Sequence, residues 1–188
     1  LFDNQGQLLL STDTQNQQVK NAELEQMIKR DKTHSNFSLA QTEISLTKIS
    51  APTNFWIFGG GSDAVPLVLM ARQMGWRVTV VDHRSSYARQ SMFKDASDIF
   101  RVHPDDFSAI AQFKQLDAAI LMTHNLRLDA AWLKLLHESN TAKYIGLLGP
   151  LERRGNVEAI AEIADRAWLT KNVNGPVGLD IGGELPES

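Results

Sequence analysis

The sequence predicts an α/β domain, doubly wound around a mainly parallel sheet, with a small N-terminal extension. Three observations predict it. From Asn54 onward, short apolar runs alternate with segments of helical periodicity. Those runs are continuously apolar rather than alternating, as strands covered on both faces are. The first of them, Asn54 to Phe58, leads directly into Gly59-Gly60-Gly61, a tight turn that opens a helix.

The elements follow in order. Leu1 to Leu10 reads as a hairpin around Asp3-Asn4-Gln5-Gly6, and Asn21 to Arg30 as a short helix with Leu24, Met27 and Ile28 on one face. Phe37 to Leu39 and Ile44 to Ile49 read as short strands. This region, residues 1–50, is too poor in apolar residues for its own core and reads as the remnant of a preceding domain or a strap. Pro52 marks the boundary, and residues 51–188 form the main domain.

There the strand Asn54 to Phe58 is followed by a helix from Asp63 to Met74. Pro66 is tolerated in its first turn and Gly75 closes it. Arg77 to Val81 is the second strand, and Asp98 to Val102 a weaker third. Pro104-Asp105-Asp106 starts a helix that turns Phe107, Ile110 and Ala111 inward. Ala118 to Met122 is a strand whose helix shows the stripe Leu128, Ala131, Trp132, Leu135 and Leu136. Tyr144 to Leu148 is the last strand, and a final helix carries Val157, Ile160, Ala161, Ala164 and Trp168 at helical spacing.

Bulk properties narrow the function. The 188 residues, 43% hydrophobic and 22% charged, are ordinary globular composition. A net charge of −3 argues against a strongly electrostatic nucleic-acid binder. There is no cysteine, which excludes disulfides and thiolate chemistry from this stretch and suits a reducing, cytoplasmic setting. No apolar run approaches the ~20 residues needed to span a membrane.

In a doubly wound sheet, ligands bind outside the carboxyl ends of the strands. Four segments fall there: Gly59-Gly60-Gly61 with Ser62 and Asp63, Asp82-His83-Arg84, Thr123-His124-Asn125, and Gly146 to Pro150 with Gly149 at its turn. The pattern Gly59-x-Gly61-x-x-Ala64 after a strand is that of a Rossmann-like nucleotide corner, and Asp82 follows at the spacing of a ribose-binding acid. Arg84 leaves sugar against phosphate open. His124 reads equally as a proton shuttle or a helix cap. Asp129 serves the first turn of its helix. Arg153 and Arg154 stand at a helix N-terminus, where cations are unfavourable, so they imply either an anion nearby or a solvated face. Asp63 would compete with a phosphate for the same N–H groups. Gly178, Asp180 and Gly182 suit either turns or a loop pressed against a ligand.

Phe58 to Ala64, Val80 to Arg84, Met122 to Asn125, Tyr144 to Pro150 and Pro176 to Gly182 resemble, in order, the motifs of the XdhC/CoxI family. The resemblance covers Phe55 to Glu187. It implies a Rossmann domain in an accessory protein that binds molybdenum cofactor, protects it during sulfuration and delivers it to a molybdenum hydroxylase such as xanthine dehydrogenase. The implied partners are the apo hydroxylase and a cysteine desulfurase, and a homodimer is compatible with the sequence. The chain departs from the family at Gly60 and Ser62, where alanine and histidine are usual, and at Leu185, where threonine is usual. The resemblance implies a maturation factor rather than a conventional enzyme. Two other readings stand beside it. An NAD(P)-dependent oxidoreductase is motivated by the glycine corner and Asp82, although no Tyr-x-x-x-Lys set is present. A ligand-free Rossmann interaction module is motivated by the unusual turn.

Overall fold

The computed structural model describes residues 34–39, 42–47, 51–109 and 116–178, with side chains at 51–106 and 116–178. The hairpin expected at Leu1 to Leu10, the helix at Asn21 to Arg30 and Asp180 lie outside the described residues. The chain divides into two compact units, Leu1–Ala51 and Pro52–Ser188. Within the first, β1 (His34–Leu39) and β2 (Thr42–Thr47) pair antiparallel, His34 opposite Thr47 and Leu39 opposite Thr42.

The second unit is built on six strands: β3 (Asn54–Phe58), β4 (Arg77–Val81), β5 (Asp98–Phe100), β6 (Ala118–Leu121), β7 (Tyr144–Leu147) and β8 (Val173–Asn174). They lie in the order β5-β4-β3-β6-β7-β8, and every pairing is parallel. The chain thus starts at the centre, winds outward to β5, then returns to β6 on the other side of β3. That reversal makes the carboxyl ends of β3 and β6 the switch point of the sheet.

The pleat divides each central strand between two cores. Trp56 and Phe58 enter one, with Leu121, Trp132, Leu133, Leu136, Ile145 and Val157. Phe55 and Ile57 enter the other, with Ala64, Val68, Ala71, Val78, Val80 and Phe93. Helix α1 (Ala64–Gln73) covers the second face. Helices α2 (Leu126–Ser139), α3 (Leu151–Ala161) and α4 (Arg166–Asn172) cover the first. Burial on both sides is why these strands read as unbroken apolar runs.

Four local expectations change. The strand Asp98 to Val102 pairs only as far as Phe100, and Pro104–Ala109 is a 3₁₀ helix rather than the opening of an α-helix. The side chains of Phe107, Ile110 and Ala111 lie outside the described residues. The buried face of α2 is Asp129, Ala130, Trp132, Leu133 and Leu136, while Leu128, Ala131 and Leu135 are only half-buried. The stripe is rotated because Asp129, polar by any count of periodicity, faces inward to meet Thr123 and Arg153. Finally, the long last helix is two. Glu162 takes a left-handed conformation (φ 53°) that ends α3, and the Asp165 side chain accepts from Trp168 N at 2.9 Å to start α4. Ile160 and Ala164 are therefore exposed, and Ile163 and Leu169 are buried in their place. Beyond α4, β8 adds a sixth parallel strand.

The broken helix makes a testable contrast. Leu133→Ala, at a fully buried position, should cost about 2–5 kcal/mol in urea unfolding. Ile160→Ala, at a position 46% exposed, should cost under about 1 kcal/mol. Equal losses would mean that a single continuous helix faces the core.

Candidate functional site

The corner after β3 is shaped by close backbone approach. Gly59 sits at φ 123°, and a Cβ there would run into the carbonyl of Met122 at the end of β6, so glycine alone fits. Gly59 N–H donates to Val81 O at 2.8 Å and Met122 N–H to Phe58 O at 2.8 Å, which draws the ends of β3, β4 and β6 together. A Cβ on Gly60 would stand 3.3 Å from both the Asp82 Cβ and the Tyr87 carbonyl.

Asp82 is the centre of this edge. Its Oδ2 accepts from Gly60 N–H at 2.8 Å and from Arg84 Nη2 at 2.7 Å. Its Oδ1 accepts from Arg84 N–H at 2.9 Å and Arg84 Nε at 3.0 Å. The carboxylate is buried, and burial raises its pKa; the Arg84 side chain, then the Gly60 and Arg84 N–H groups, outweigh that and hold it below the ordinary value. The same hydrogen bond raises the Arg84 pKa. The Arg84 guanidinium also lies over the Tyr87 ring, 3.7 Å from its centroid. The turn carrying Tyr87 is closed by Tyr87 N–H and Ala88 N–H, both donating to Arg84 O. Arg101 Nε holds it from below through Ala88 O at 3.0 Å. His83 stands 3.7 Å from Asp82 Oδ1 and meets the His103 ring edge to face at 5.6 Å.

Across the switch point, Asp63 and His124 join. His124 Nε2 lies 2.8 Å from Asp63 Oδ2, linking residues 61 positions apart from the β3–α1 corner and the β6–α2 loop. His124 is held at φ 59°, a region that few side chains other than those of Asn, Asp and His adopt. The Asp63 carboxylate makes no hydrogen bond to the N–H groups of the helix it precedes. The expected competition with a phosphate for those groups does not arise: Ala64 and Val65 N–H donate to Gly61 and Ser62 O, Pro66 has no N–H, and Asp63 pairs with His124.

The neighbouring residues divide into structural and available groups. Asn125 caps α2, its Oδ1 accepting from Arg127 N–H at 2.9 Å and Leu128 N–H at 3.2 Å. Thr123 donates its hydroxyl to Asp129 at 2.6 Å, and its N–H bonds the same oxygen at 3.1 Å. The other Asp129 oxygen accepts from Arg153 Nη2 at 2.6 Å, with Asp129 fully buried. Arg154 Nε donates to Glu158 at 2.7 Å. The anion inferred from the Arg153–Arg154 pair is thus supplied by the protein's own carboxylates. Gly149, at φ 114°, leaves room for the Arg153 stem, and Gly175 for that of Arg154. Val177 N–H returns to Leu147 O at 3.1 Å, which brings Gly178, at φ 125°, back to the end of β7.

The structure therefore gathers Gly59, Gly60, Gly61, Ser62, Asp63, Thr123, His124 and Asn125 at the switch point, Asp82, His83 and Arg84 one strand to one side, and Gly149, Arg153, Arg154 and Gly178 to the other. Sequence reasoning missed Asp129 as the buried partner of Arg153 and Tyr87 as the support of Arg84. For Tyr87 there was a signal: an aromatic three residues after an arginine in a turn. Among the described residues no group of three or more His, Asp or Glu side chains is placed to hold a metal ion, and no helix is long and apolar enough to cross a membrane.

An all-parallel sheet of this order, with a glycine corner at its switch point, defines a Rossmann-type domain. Residues 55–188 match the XdhC Rossmann domain, and the chain belongs to that family. It is 32% identical over 146 residues to a protein of Bacillus subtilis (strain 168) described as a probable subunit of xanthine dehydrogenase, covering 78% of this chain and 42% of that protein. It is also similar to the crystal structure of a xanthine dehydrogenase from Bacillus halodurans, with a TM-score of 0.63 and 30% identity over 77% of this chain and 40% of that one. The chain thus spans about two fifths of the length of these relatives.

The charges of this edge lend themselves to two measurements. Because the Asp82 pKa is lowered on folding, its contribution to stability is complete above its unfolded value of about 3.9 and is lost as pH falls through the lower folded value. Urea midpoints between pH 2 and 6 should fall below about pH 4, and Asp82→Asn should be less stable at pH 6 with a flatter acid limb. Asp129→Ala strands Arg153 and should cost about 3–5 kcal/mol in the same assay. A loss under about 1 kcal/mol would show that the bridge contributes little.

Proposed function

We propose that the chain serves the maturation of a molybdenum hydroxylase of the xanthine dehydrogenase type. It would hold molybdenum cofactor as cargo at the carboxyl edge of its sheet and assist its sulfuration and insertion. The observation that carries this reading is the family match over residues 55–188 on a domain whose sheet keeps the Rossmann strand order and its switch point. That edge is where a pterin that carries a phosphate would sit. With Asp63 turned to His124, no side chain caps α1; Ala64 and Val65 N–H donate to Gly61 and Ser62 O, so the N–H groups left for an anion are those of the Gly61-Ser62-Asp63 turn before the helix. His124, largely exposed, offers a further hydrogen bond. The apo hydroxylase is the proposed recipient and the cytoplasm the proposed setting. This stretch has no cysteine, so a desulfurase is proposed as the source of sulfur.

A nicotinamide cofactor finds less support at the same edge. The Gly60 N–H that would meet a pyrophosphate is bonded to Asp82, and both oxygens that would accept a ribose diol are already held by Gly60 and Arg84.

Equilibrium binding of molybdenum cofactor to the purified chain tests the proposal. Saturable binding is expected, weakened about tenfold by His124→Ala, the loss of one hydrogen bond to a charged group. Failure of the unmutated protein to retain the cofactor, or saturable binding of NADH with turnover, would overturn it.

A further inference from the structure

We infer that the Arg84 guanidinium, backed by the Tyr87 ring, is a platform on which a flat nitrogen heterocycle of the pterin or purine class stacks. The inference deepens the function proposed above and rests on it, because it assigns the place of the cargo's ring.

Arginine can offer a ligand a charge, hydrogen bonds or a flat face. At Arg84 the charge is balanced and the forked edge is engaged. Nε and Nη2 grip the two oxygens of the buried Asp82 at 3.0 and 2.7 Å, a pairing that matches the charge one for one. What remains is the Nη1 end and the plane. Tyr87 supports the guanidinium from one side at 3.7 Å, and the Arg84 side chain is still 38% exposed. The group is held in place by the backbone as well as the side chain. Arg84 N–H is on Asp82, and Arg84 O closes the turn that carries Tyr87. A long side chain fixed in this way has already lost its rotamer freedom on folding, so stacking a ligand on it requires little further ordering.

The location agrees. Arg84 follows β4 at the carboxyl edge, one strand from the switch point, and its carboxylate partner is bonded to the glycine corner through Gly60. A ring lying on Arg84 and a phosphate at the Gly61–Asp63 turn would therefore belong to one ligand bridging adjacent segments. His83, 3.7 Å from Asp82 Oδ1, packs edge to face with His103 at 5.6 Å, so two more flat groups stand on the same edge. An arginine kept for a phosphate would present its donors outward. Here the Nε–Nη2 fork is on Asp82, and the exposed face is offered.

The test titrates the full chain with a phosphate-free pterin and, separately, with adenosine, following ligand fluorescence or saturation-transfer NMR. At least one ring should bind saturably. Arg84→Lys, which keeps the charge and loses the plane, should weaken it about five- to thirtyfold, the range expected for loss of a cation–π stack. Tyr87→Leu leaves the Arg84–Asp82 pair intact and should weaken it in the same direction, so the inference stays testable even where Arg84→Lys fails to fold. Stronger binding of adenosine than of the pterin would assign the platform to purines. Binding of neither ring, undiminished binding by both variants, or displacement of the ring by inorganic phosphate would overturn the platform. The two readings fail separately. Molybdenum cofactor retained equally by Arg84→Lys and Tyr87→Leu would remove the platform and leave the proposed function standing. A phosphate-free pterin held through Arg84 by a protein that does not retain the cofactor would do the reverse.

Discussion

The carboxyl edge of this sheet depends on one buried carboxylate. Asp82 accepts the N–H of Gly60 from the β3 corner and the side chain and backbone N–H of Arg84 from its own turn. Those bonds fix the distance between the glycine turn and the end of β4. They fix the plane of Arg84, on which the Tyr87 ring stacks. Taking a carboxylate out of water is costly unless its oxygens are hydrogen-bonded, and here both are. The edge is therefore tied together at the glycine corner, and by the residue that fold-level analogy would assign to a ligand.

The same internal pairing recurs across the edge. Arg153 meets Asp129, which also holds Thr123, and Arg154 meets Glu158. Three arginines that a reader of the sequence would give to an anionic ligand have carboxylate partners already. Each pair ties two segments together: β4 to its turn, the β6 loop to α3, and α3 to itself one turn on. Charge at this edge thus serves architecture. What is left at this edge is the backbone N–H of the Gly61–Asp63 turn before α1, the His124 imidazole and flat surface.

Much of this is legible in the sequence, and the limits have physical causes. Asn54 to Phe58 and Arg77 to Val81 are readable to the residue because both faces of each strand are covered, so apolar runs and strand bounds coincide. The glycine corner is readable because Gly59 has a conformational requirement that no other residue meets. The face of α2 lies about one position from where periodicity puts it. Hydrophobic spacing assigns Asp129 outward, whereas Arg153, 24 residues away, brings it in. The break in the last helix is hidden because Ile160, Ala161 and Ala164 continue the spacing, and nothing apolar marks the left-handed turn at Glu162. Among the site residues, positions along the edge are legible and pairings are not. Periodicity is a property of neighbours in the chain, and each of these carboxylates chooses its partner through the fold.

The bridge between Asp63 and His124 shows why that distinction bears on function. A carboxylate preceding a helix would ordinarily bond the free N–H groups and so occupy an anion site with the protein's own charge. His124 draws Asp63 aside, and it does so from a left-handed backbone conformation that costs on the order of 1–3 kcal/mol when the surroundings impose it. Strain of that kind persists only when the rest of the loop over-determines it. Here Asn125 caps α2 immediately after His124, and Thr123 is tied to Asp129 immediately before. The loop is thus held at both ends with its middle residue turned into the crevice. An arrangement that keeps the Gly61–Asp63 turn clear of carboxylates while matching nearby arginines internally favours, for the proposed function, a ligand recognised by shape and a few turn N–H groups over one gripped by charge. Such a ligand can be released intact, which is the physical requirement on a domain whose proposed task is to hold a cofactor and pass it on.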